Sequence, residues 1–210
     1  QLDIISTKNT AYGYLSVNGG FKIEKLWNSY SINTKANIGP NRGKKYSNED
    51  KIFIKNLNLQ KIKEIKLDYS ELSDNIIRVI KGTNFDYFSS KAKNQFFNQD
   101  FLVTKLTDRM GIRLSGCKLE NTVRTNIKSE GLVKGAIQVP ADGNPIIMLS
   151  DHGTIGGYPK IGVVISADLD RTGQLTPGST INFKEVSLEE AENIFKAYTE
   201  DTNKYLNECN

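Results

Sequence analysis

The chain has 210 residues, a formal net charge of +4, 38% hydrophobic residues and 25% charged residues. This length is enough for one large domain or two small ones with a buried core. No apolar run is long enough to span a membrane, and the two cysteines, Cys117 and Cys209, do not make a disulfide framework. These features favour a globular protein of the reducing cytoplasm and exclude an intrinsic membrane protein.

Most of the chain, taken from its beginning, predicts short strands rich in Ile and Val and bounded by Gly, Pro, Asn or Asp. The predicted strand segments are 11–20, 50–54, 60–67, 75–80, 135–139, 145–150, 160–169 and 179–186. Their spacing leaves no room for a helix between every pair, so the pattern predicts a mostly antiparallel barrel or sandwich.

Two helices interrupt the strands. In 88–98, a serine pair offers N-caps, and Phe88, Ala92 and Phe96 share one helical face. A second helix begins at the capping box formed by Ser187 and Glu190.

The distribution of charge predicts a boundary near 82–86. Residues 1–82 contain 14 Lys or Arg against 8 Asp or Glu, whereas the rest contains 14 against 16. The segment "GTNFD" offers a turn at this point. We therefore expect one subdomain in 1–82 and a second in 83–210. The basic excess accompanies no nucleic-acid recognition motif, so solvated strand faces explain it best.

The most unusual segment is 151–160, "DHGTIGGYPK", between two apolar runs. An antiparallel hairpin usually needs two to five loop residues, so this connection is long. Gly153, Gly156 and Gly157 permit positive φ, a close approach by a ligand, or a nest of N–H groups for an anion. No Gly-Lys-Ser/Thr follows, which excludes a Walker loop. The composition leaves two interpretations open, a structural loop or a binding site.

Several polar residues could serve such a site. Arg109 and Arg113, four residues apart, could clamp an anion, although an ion pair with Asp108 is an equally common use. Asp151 stands at a strand end, Gln138 is a polar residue in an apolar strand, and the lone histidine, His152, is more typical of an ordinary loop residue.

Three quoted tracts resemble one family: "DRMGIRLSG" (108–116), "SEGLVKGAIQVPADGNPIIMLSDHGTIGGYPKIGVVISADL" (129–169) and "GQLTPGSTINFKEVSLEEA" (173–191). The family is variously called the C subunit of 5-oxoprolinase, allophanate hydrolase subunit 2, the biotin-dependent carboxyltransferase family or the Kip-type kinase-inhibitor antagonist. A weaker resemblance covers 11–21 and 28–39, where Tyr30 replaces an Arg that the family commonly has. The opening motif of family members has no counterpart, so we expect a chain that lacks the N-terminal part of the family.

The resemblance implies a mainly β fold with a few helices, built from cyclophilin-like β-barrels. The second barrel would be complete in 83–210, and 1–82 would hold the remainder of the first. The implied function is that of a subunit of an ATP-dependent 5-oxoprolinase, a lactam hydrolase that opens 5-oxo-L-proline to L-glutamate, without activity on its own. The expected substrate-binding residues are Arg109, Arg113, Gln138, Asp151, Thr154, Gly156, Gly157, Tyr158 and Lys160.

The implied partners are A-type and B-type subunits and a small polar amide substrate, with neither nucleic acid nor a membrane. The implied cofactor is ATP, which could be bound by a partner subunit, and no metal is expected. No residue is assigned as the catalytic group. Two alternatives remain: a carboxyltransferase of the urea carboxylase or allophanate hydrolase type, which would need biotin from another protein, and a non-enzymatic module that antagonises a sensor-kinase inhibitor.

Overall fold

The computed structural model describes residues 7, 10–55, 75–123 and 126–208. The described residues of 13–65 form one compact unit, and those of 1–12 and 66–210 form another. The predicted strand at 60–67 and Cys209 lie outside the described residues.

The larger unit is a barrel. Its strands are β1 (Ile76–Lys81), β2 (Phe101–Val103), β3 (Gly111–Ser115), β4 (Glu130–Gly131), β5 (Ala136–Gln138), β6 (Ile146–Met148), β7 (Ile155–Gly156), β8 (Lys160–Val164) and β9 (Thr180–Glu185). Its helices are α1 (Ser90–Asn98), α2 (Leu169–Gly173) and α3 (Leu188–Glu208), with 3-10 turns at Phe85–Tyr87 and Ser166–Asp168. The predicted helices at 88–98 and from Ser187 are confirmed.

Seven strands close the barrel in the order β1-β8-β5-β6-β3-β2-β9, while β4 and β7 form a separate two-stranded sheet. The barrel pairs are antiparallel except β1 with β9, which is parallel. The prediction of a mainly β chain with a complete barrel is therefore confirmed.

Alternating apolar residues fill the barrel. Ile77, Val79, Ile137, Ile147 and Ile161 point into one buried cluster because successive side chains of a strand face opposite sides. Helix α1 adds Phe96 to this cluster, and its ring stacks on Phe183 with the ring centroids 4.5 Å apart. The serine cap predicted for α1 is present, since the Ser89 side chain accepts a hydrogen bond from the backbone N–H of Ala92.

The predicted strand 160–169 is too long. Strand β8 ends at Val164, and the chain then turns through 166–168 into α2. Asp168 explains the turn, because its fully buried carboxylate binds Arg78 on β1 and Arg171 on α2. This charge network requires Asp168 to leave the strand direction.

Among the described residues of the smaller unit, pairing is limited to isolated bridges. Isolated bridges join Phe21 to Ile54, Leu26 to Ser29 and Asn33 to Ile38, and a 3-10 turn spans Asn41–Gly43. The predicted strands 11–20 and 50–54 are wrong apart from the bridge at Ile54. An alternating pattern predicts the faces of a strand, but a ladder also needs a lateral partner along its length, and the described residues provide one only at isolated bridges.

Strand β1 lies before the predicted boundary at 82 and yet pairs with β8 and β9. The barrel therefore begins upstream of residue 83. The assignment of 1–82 to a first, partial carboxyltransferase-type subdomain stays a prediction. No helix among the described residues is both long enough and apolar enough to cross a membrane.

Candidate functional site

The connection between β6 and β8 is a crossover and not a hairpin. Both strands pair antiparallel with β5, one on each side of it, so they run in the same direction. The chain must return along the barrel before β8 can begin, which requires a long connection. The length of 151–160, which suggested a binding loop, thus has a topological cause.

The crossover pairs with the segment that precedes β5. Glu130 and Gly131 of β4 face Gly156 and Ile155 of β7. The backbone N–H of Leu132 donates to Thr154 O at 3.0 Å, and that of Ile127 donates to Gly157 O at 2.9 Å. We call these paired segments, residues 127–132 and 154–158, the strap.

The glycines of the crossover do not form the predicted nest of N–H groups for an anion. Gly153, Gly156 and Gly157, all of which the structure describes, avoid positive φ. A Cβ on Gly156 would lie 2.6 Å from Gln138 Nε2 and 2.8 Å from Leu132 Cδ1. An added side chain at position 156 would therefore push on the ends of the Gln138 and Leu132 side chains. The approach of a ligand or another backbone to these glycines stays a prediction.

Gln138 lies beneath the strap. Its neighbours Ile137 and Val139 belong to the barrel core, so strand alternation turns Gln138 to the opposite face. The side chain is buried, and its Nε2 donates to Tyr158 O at 3.1 Å. Tyr158 itself is partly exposed. The structure thus brings together three predicted residues, Gln138, Gly156 and Tyr158.

Lys160 lies beside Gln138 because the two residues are paired across strands β8 and β5. It lies opposite Gln138 at the start of β8, and its side chain is only 6% exposed. Its Nζ donates to the carboxylate of Glu130 on β4. The hydrogen bond from Lys160, together with its charge and a weaker hydrogen bond from Asn84, holds the pKa of Glu130 below its ordinary value.

Asn84 completes the group, and sequence reasoning missed both it and Glu130. The buried Asn84 follows β1, accepts the Lys160 backbone N–H at Oδ1 over 3.0 Å, and donates from Nδ2 to Glu130 Oε1 over 3.5 Å. Glu130 was in a tract that carried the family resemblance, and Asn84 was in the predicted boundary turn. No periodicity marks either of them, since both act through contacts distant in sequence.

Arg109 and Asp151 meet at the other end of the barrel. Arg109 Nε and Nη2 donate to Asp151 Oδ2 and Oδ1 at 2.8 and 2.9 Å. The hydrogen bond and charge of Asp151 raise the pKa of Arg109 above its ordinary value. Gly111 of β3 pairs with Met148 of β6 near this end, whereas Gln138 and Lys160 mark the opposite end. The predicted site residues are therefore divided between two ends.

Arg109 and Arg113 do not converge into a clamp. Arg113 is an exposed residue of β3, and its charge acts on Asp142. Burial raises the pKa of Asp142, but hydrogen bonds from Asn144 and the charges of Lys118 and Arg113 bring it below its ordinary value. Asp108 caps its own turn by accepting the N–H groups of Met110 and Gly111.

Two further loop residues, Thr154 and His152, make local contacts. Thr154 is exposed on the strap, where its carbonyl accepts from Leu132. His152 Nδ1 lies 2.6 Å from Gly153 O, a local contact that suits the predicted loop role.

A groove of about 580 Å³ between the end of α1 and β9 has none of the predicted site residues in its lining.

The donor groups can be compared with those that the implied cofactors need. Among the described residues, no three His, Cys, Asp or Glu side chains lie close enough together to hold a metal ion. The strap offers no phosphate nest of glycines with positive φ, and this chain has no Met-Lys pair for biotin attachment.

The comparisons with known proteins concern nearly the whole chain. The family model "Carboxyltransferase domain, subdomain A and B" matches residues 1–185. The chain is 36% identical to the C subunit of 5-oxoprolinase from Haemophilus influenzae over 90% of its own length and 61% of that protein's length. It is 32% identical to the Escherichia coli protein of the same name, over 85% of this chain and 57% of that protein.

A solved structure shows the same fold. The urea amidolyase of Kluyveromyces lactis superposes with a TM-score of 0.77 at 24% identity, covering 90% of this chain and 13% of that one. The chain thus spans about three fifths of the length of the curated relatives it matches. The barrel and the match over residues 1–185 together place the chain in the carboxyltransferase domain, subdomain A and B, family.

Proposed function

We propose that the chain acts as the C-type subunit of an ATP-dependent 5-oxoprolinase, which opens 5-oxo-L-proline to L-glutamate together with A-type and B-type subunits. The observation that carries this proposal is the 36% identity to a 5-oxoprolinase C subunit over 90% of the chain. The identity to the urea amidolyase of Saccharomyces cerevisiae is lower, 28% over 86% of the chain.

The proposed substrate site lies between the strap and the barrel, where Glu130 and Tyr158 of the strap meet Asn84, Gln138 and Lys160. A buried ammonium and two buried amides lie together there, and such groups bind a small polar substrate when they are held in place before it arrives. Gly156 permits the strap to close onto Gln138.

The remaining predicted residues have supporting roles in this proposal. The Arg109–Asp151 pair fixes the start of the crossover, because the backbone N–H of Asp151 also donates to Arg109 O at 2.9 Å. Arg113 and Thr154 are exposed and could meet a partner subunit. ATP is assigned to a partner subunit, since the strap offers it no phosphate cradle.

A chimera tests the proposal directly. This chain would replace the aligned 190 residues of the Haemophilus influenzae C subunit, and the product would be mixed with A-type and B-type subunits. We expect ATP hydrolysis that depends on 5-oxo-L-proline, with the unaltered Haemophilus influenzae protein as the positive control. A folded chimera that binds its partners but gives no such hydrolysis would contradict the proposal, and stimulation by urea instead would favour the carboxyltransferase alternative.

A further inference from the structure

Two nearly buried hydrogen-bond donors at one end of the barrel share a single carboxylate. Lys160 and Asn84 are 5% and 3% exposed. Lys160 Nζ contacts Oε2 of Glu130, and Asn84 Nδ2 lies 3.5 Å from Oε1 of the same carboxylate. One carboxylate therefore pairs a buried ammonium through one oxygen and a buried amide through the other.

The two donors are held by the barrel. The backbone N–H of Lys160 donates to Asn84 Oδ1 at 3.0 Å, and the backbone N–H of Asn84 donates to Lys160 O at 3.3 Å. Lys160 also belongs to β8, which pairs with β5 and β1. These contacts do not involve the Glu130 carboxylate, so the Asn84 amide and the backbone that carries the Lys160 side chain are held without it.

The carboxylate, by contrast, is carried by a weak element. Glu130 is one of the two residues of β4, which in the described part of the chain pairs with β7 alone, and its side chain is 42% exposed. Isolated two-stranded pairs are marginally stable and open locally at low free-energy cost. Glu130 can thus move away while its two donors stay in place.

A second carboxylate in the same unit shows the opposite arrangement. Asp168 is fully buried and binds Arg78, Arg171 and a backbone N–H. A carboxylate in such surroundings has a structural role. The half-exposed Glu130 on its short strand resembles instead an occupant that a ligand can replace.

We propose that Asn84 and Lys160 form a carboxylate-binding subsite, and that Glu130 occupies it until a ligand carboxylate displaces it. The exchange conserves charge, because one carboxylate replaces another beside the ammonium and the displaced Glu130 turns to solvent. Its place in turnover rests on the proposed function, in which 5-oxo-L-proline supplies the carboxylate. Urea and 2-pyrrolidone have no carboxylate and would not compete with Glu130.

Calorimetric titration of Glu130→Gln with sodium acetate and with 5-oxo-L-proline tests the exchange. If Glu130 fills the subsite about nine-tenths of the time, its neutralisation raises the apparent affinity for each carboxylate about tenfold. The gain should disappear in Glu130→Gln/Lys160→Met. Glu185→Gln, which removes the partner of Lys81 in a half-exposed ion pair elsewhere, is the matched control and should leave both affinities unchanged.

The remaining outcomes of these experiments also support or overturn the proposed subsite. Equal acetate affinity in the wild type and Glu130→Gln, or a gain that survives Lys160→Met, overturns the subsite. If Glu130→Gln does not fold, the Asn84 side-chain NH₂ signal of the wild type answers the same question by NMR. It should shift with acetate and not with 2-pyrrolidone, and a signal that acetate does not move overturns the proposal. A subsite that binds acetate but not 5-oxo-L-proline would stand, while the proposed substrate would fall.

Discussion

Asp168 and Glu130 both form ion pairs, but the two carboxylates differ in burial. Asp168 has no exposed surface and accepts hydrogen bonds from Arg78 Nε, Arg171 Nη2 and the backbone N–H of Arg78. Burial raises the pKa of Asp168, but these hydrogen bonds and the positive charge of Arg171 bring it below its ordinary value. Glu130, in contrast, is exposed on one side. Burial thus decides which of the two stabilises the fold.

Asp168→Asn should lower the free energy of unfolding by about 3 kcal/mol, since it leaves two arginines without their buried counter-charge. Because the pKa of Asp168 is lowered in the folded state, its stabilisation is complete above the unfolded pKa of about 3.9. It is lost as the pH falls through the lower folded pKa. Urea unfolding at a series of pH values should therefore show a smaller acid-dependent loss in the variant than in the wild type.

Asp86→Asn provides the control for this experiment. Asp86 also pairs with a cation, Lys93, but at 3.5 Å and with its side chain 97% exposed. Such surface pairs contribute little, so this variant should unfold like the wild type. Similar behaviour of the two variants would refute the structural role of Asp168.

The Arg109–Asp151 pair should contribute modestly despite its two short hydrogen bonds. The Arg109 side chain is 53% exposed, so solvent screens the charges and the coupling should be about 1 kcal/mol or less. A double-mutant cycle with Arg109→Ala and Asp151→Ala, measured by urea unfolding, gives this value directly. The coupling should fall further at about 1 M salt, and a larger, salt-independent coupling would contradict this expectation.

At the scale of elements, the strap depends on one glycine that has ordinary backbone angles. Gly156→Ala places a methyl group 2.6 Å from Gln138 Nε2 and 2.8 Å from Leu132 Cδ1, so the strap or Gln138 must shift. Because both atoms are the ends of flexible side chains, we expect a loss of about 1 kcal/mol in the free energy of unfolding, the lower end of the cost of overpacking. Gly157→Ala is the matched control, since its nearest contact would be Ile127 O at 3.3 Å, which a shift of a few tenths of an ångström relieves.

These two variants also separate packing from backbone freedom. Both glycines avoid positive φ, so alanine is compatible with either backbone. Thermal unfolding should therefore rank Gly156→Ala well below Gly157→Ala and the wild type. Equal midpoints for all three proteins would show that the strap closes onto Gln138 less tightly than the structure indicates.

Sequence reasoning predicted the elements that carry their own pattern. The Ile- and Val-rich runs that became β1, β5, β6, β8 and β9, and the capped helices α1 and α3, were all visible from local periodicity. Strands β4 and β7 were not, because two residues hold no period and are defined only by pairing between segments distant in sequence. The same reason hid Asn84 and Glu130, whose partner Lys160 was predicted on other grounds. The crossover was mistaken for an over-long hairpin because strand direction follows from sheet order, which no local pattern reveals.

At the scale of the whole molecule, the described residues of the barrel share a buried cluster that runs from Ile77 to Phe183. The described residues of 13–65 form a separate compact unit. Strand β1 contributes Ile77 and Val79 to this cluster and supplies the pairs that join β8 to β9. The barrel should therefore tolerate removal of the smaller unit but not of β1.

Two fragments that differ by 17 residues test this requirement. The fragment 66–210 retains β1, although it also lacks Ala11 and Tyr12, whose backbone N–H groups donate to Gln174. It should unfold cooperatively, with a thermal midpoint within about 4 °C of the full chain, the shift that about 1 kcal/mol produces in a domain of roughly 150 residues. The fragment 83–210 follows the boundary predicted from charge and lacks β1, so β8 and β9 would each present an open edge in place of a closed barrel. It should give no cooperative transition by near-UV circular dichroism and should aggregate in size-exclusion chromatography. Cooperative unfolding of 83–210 as a monomer would show that β1 is dispensable and would restore the boundary at residue 82.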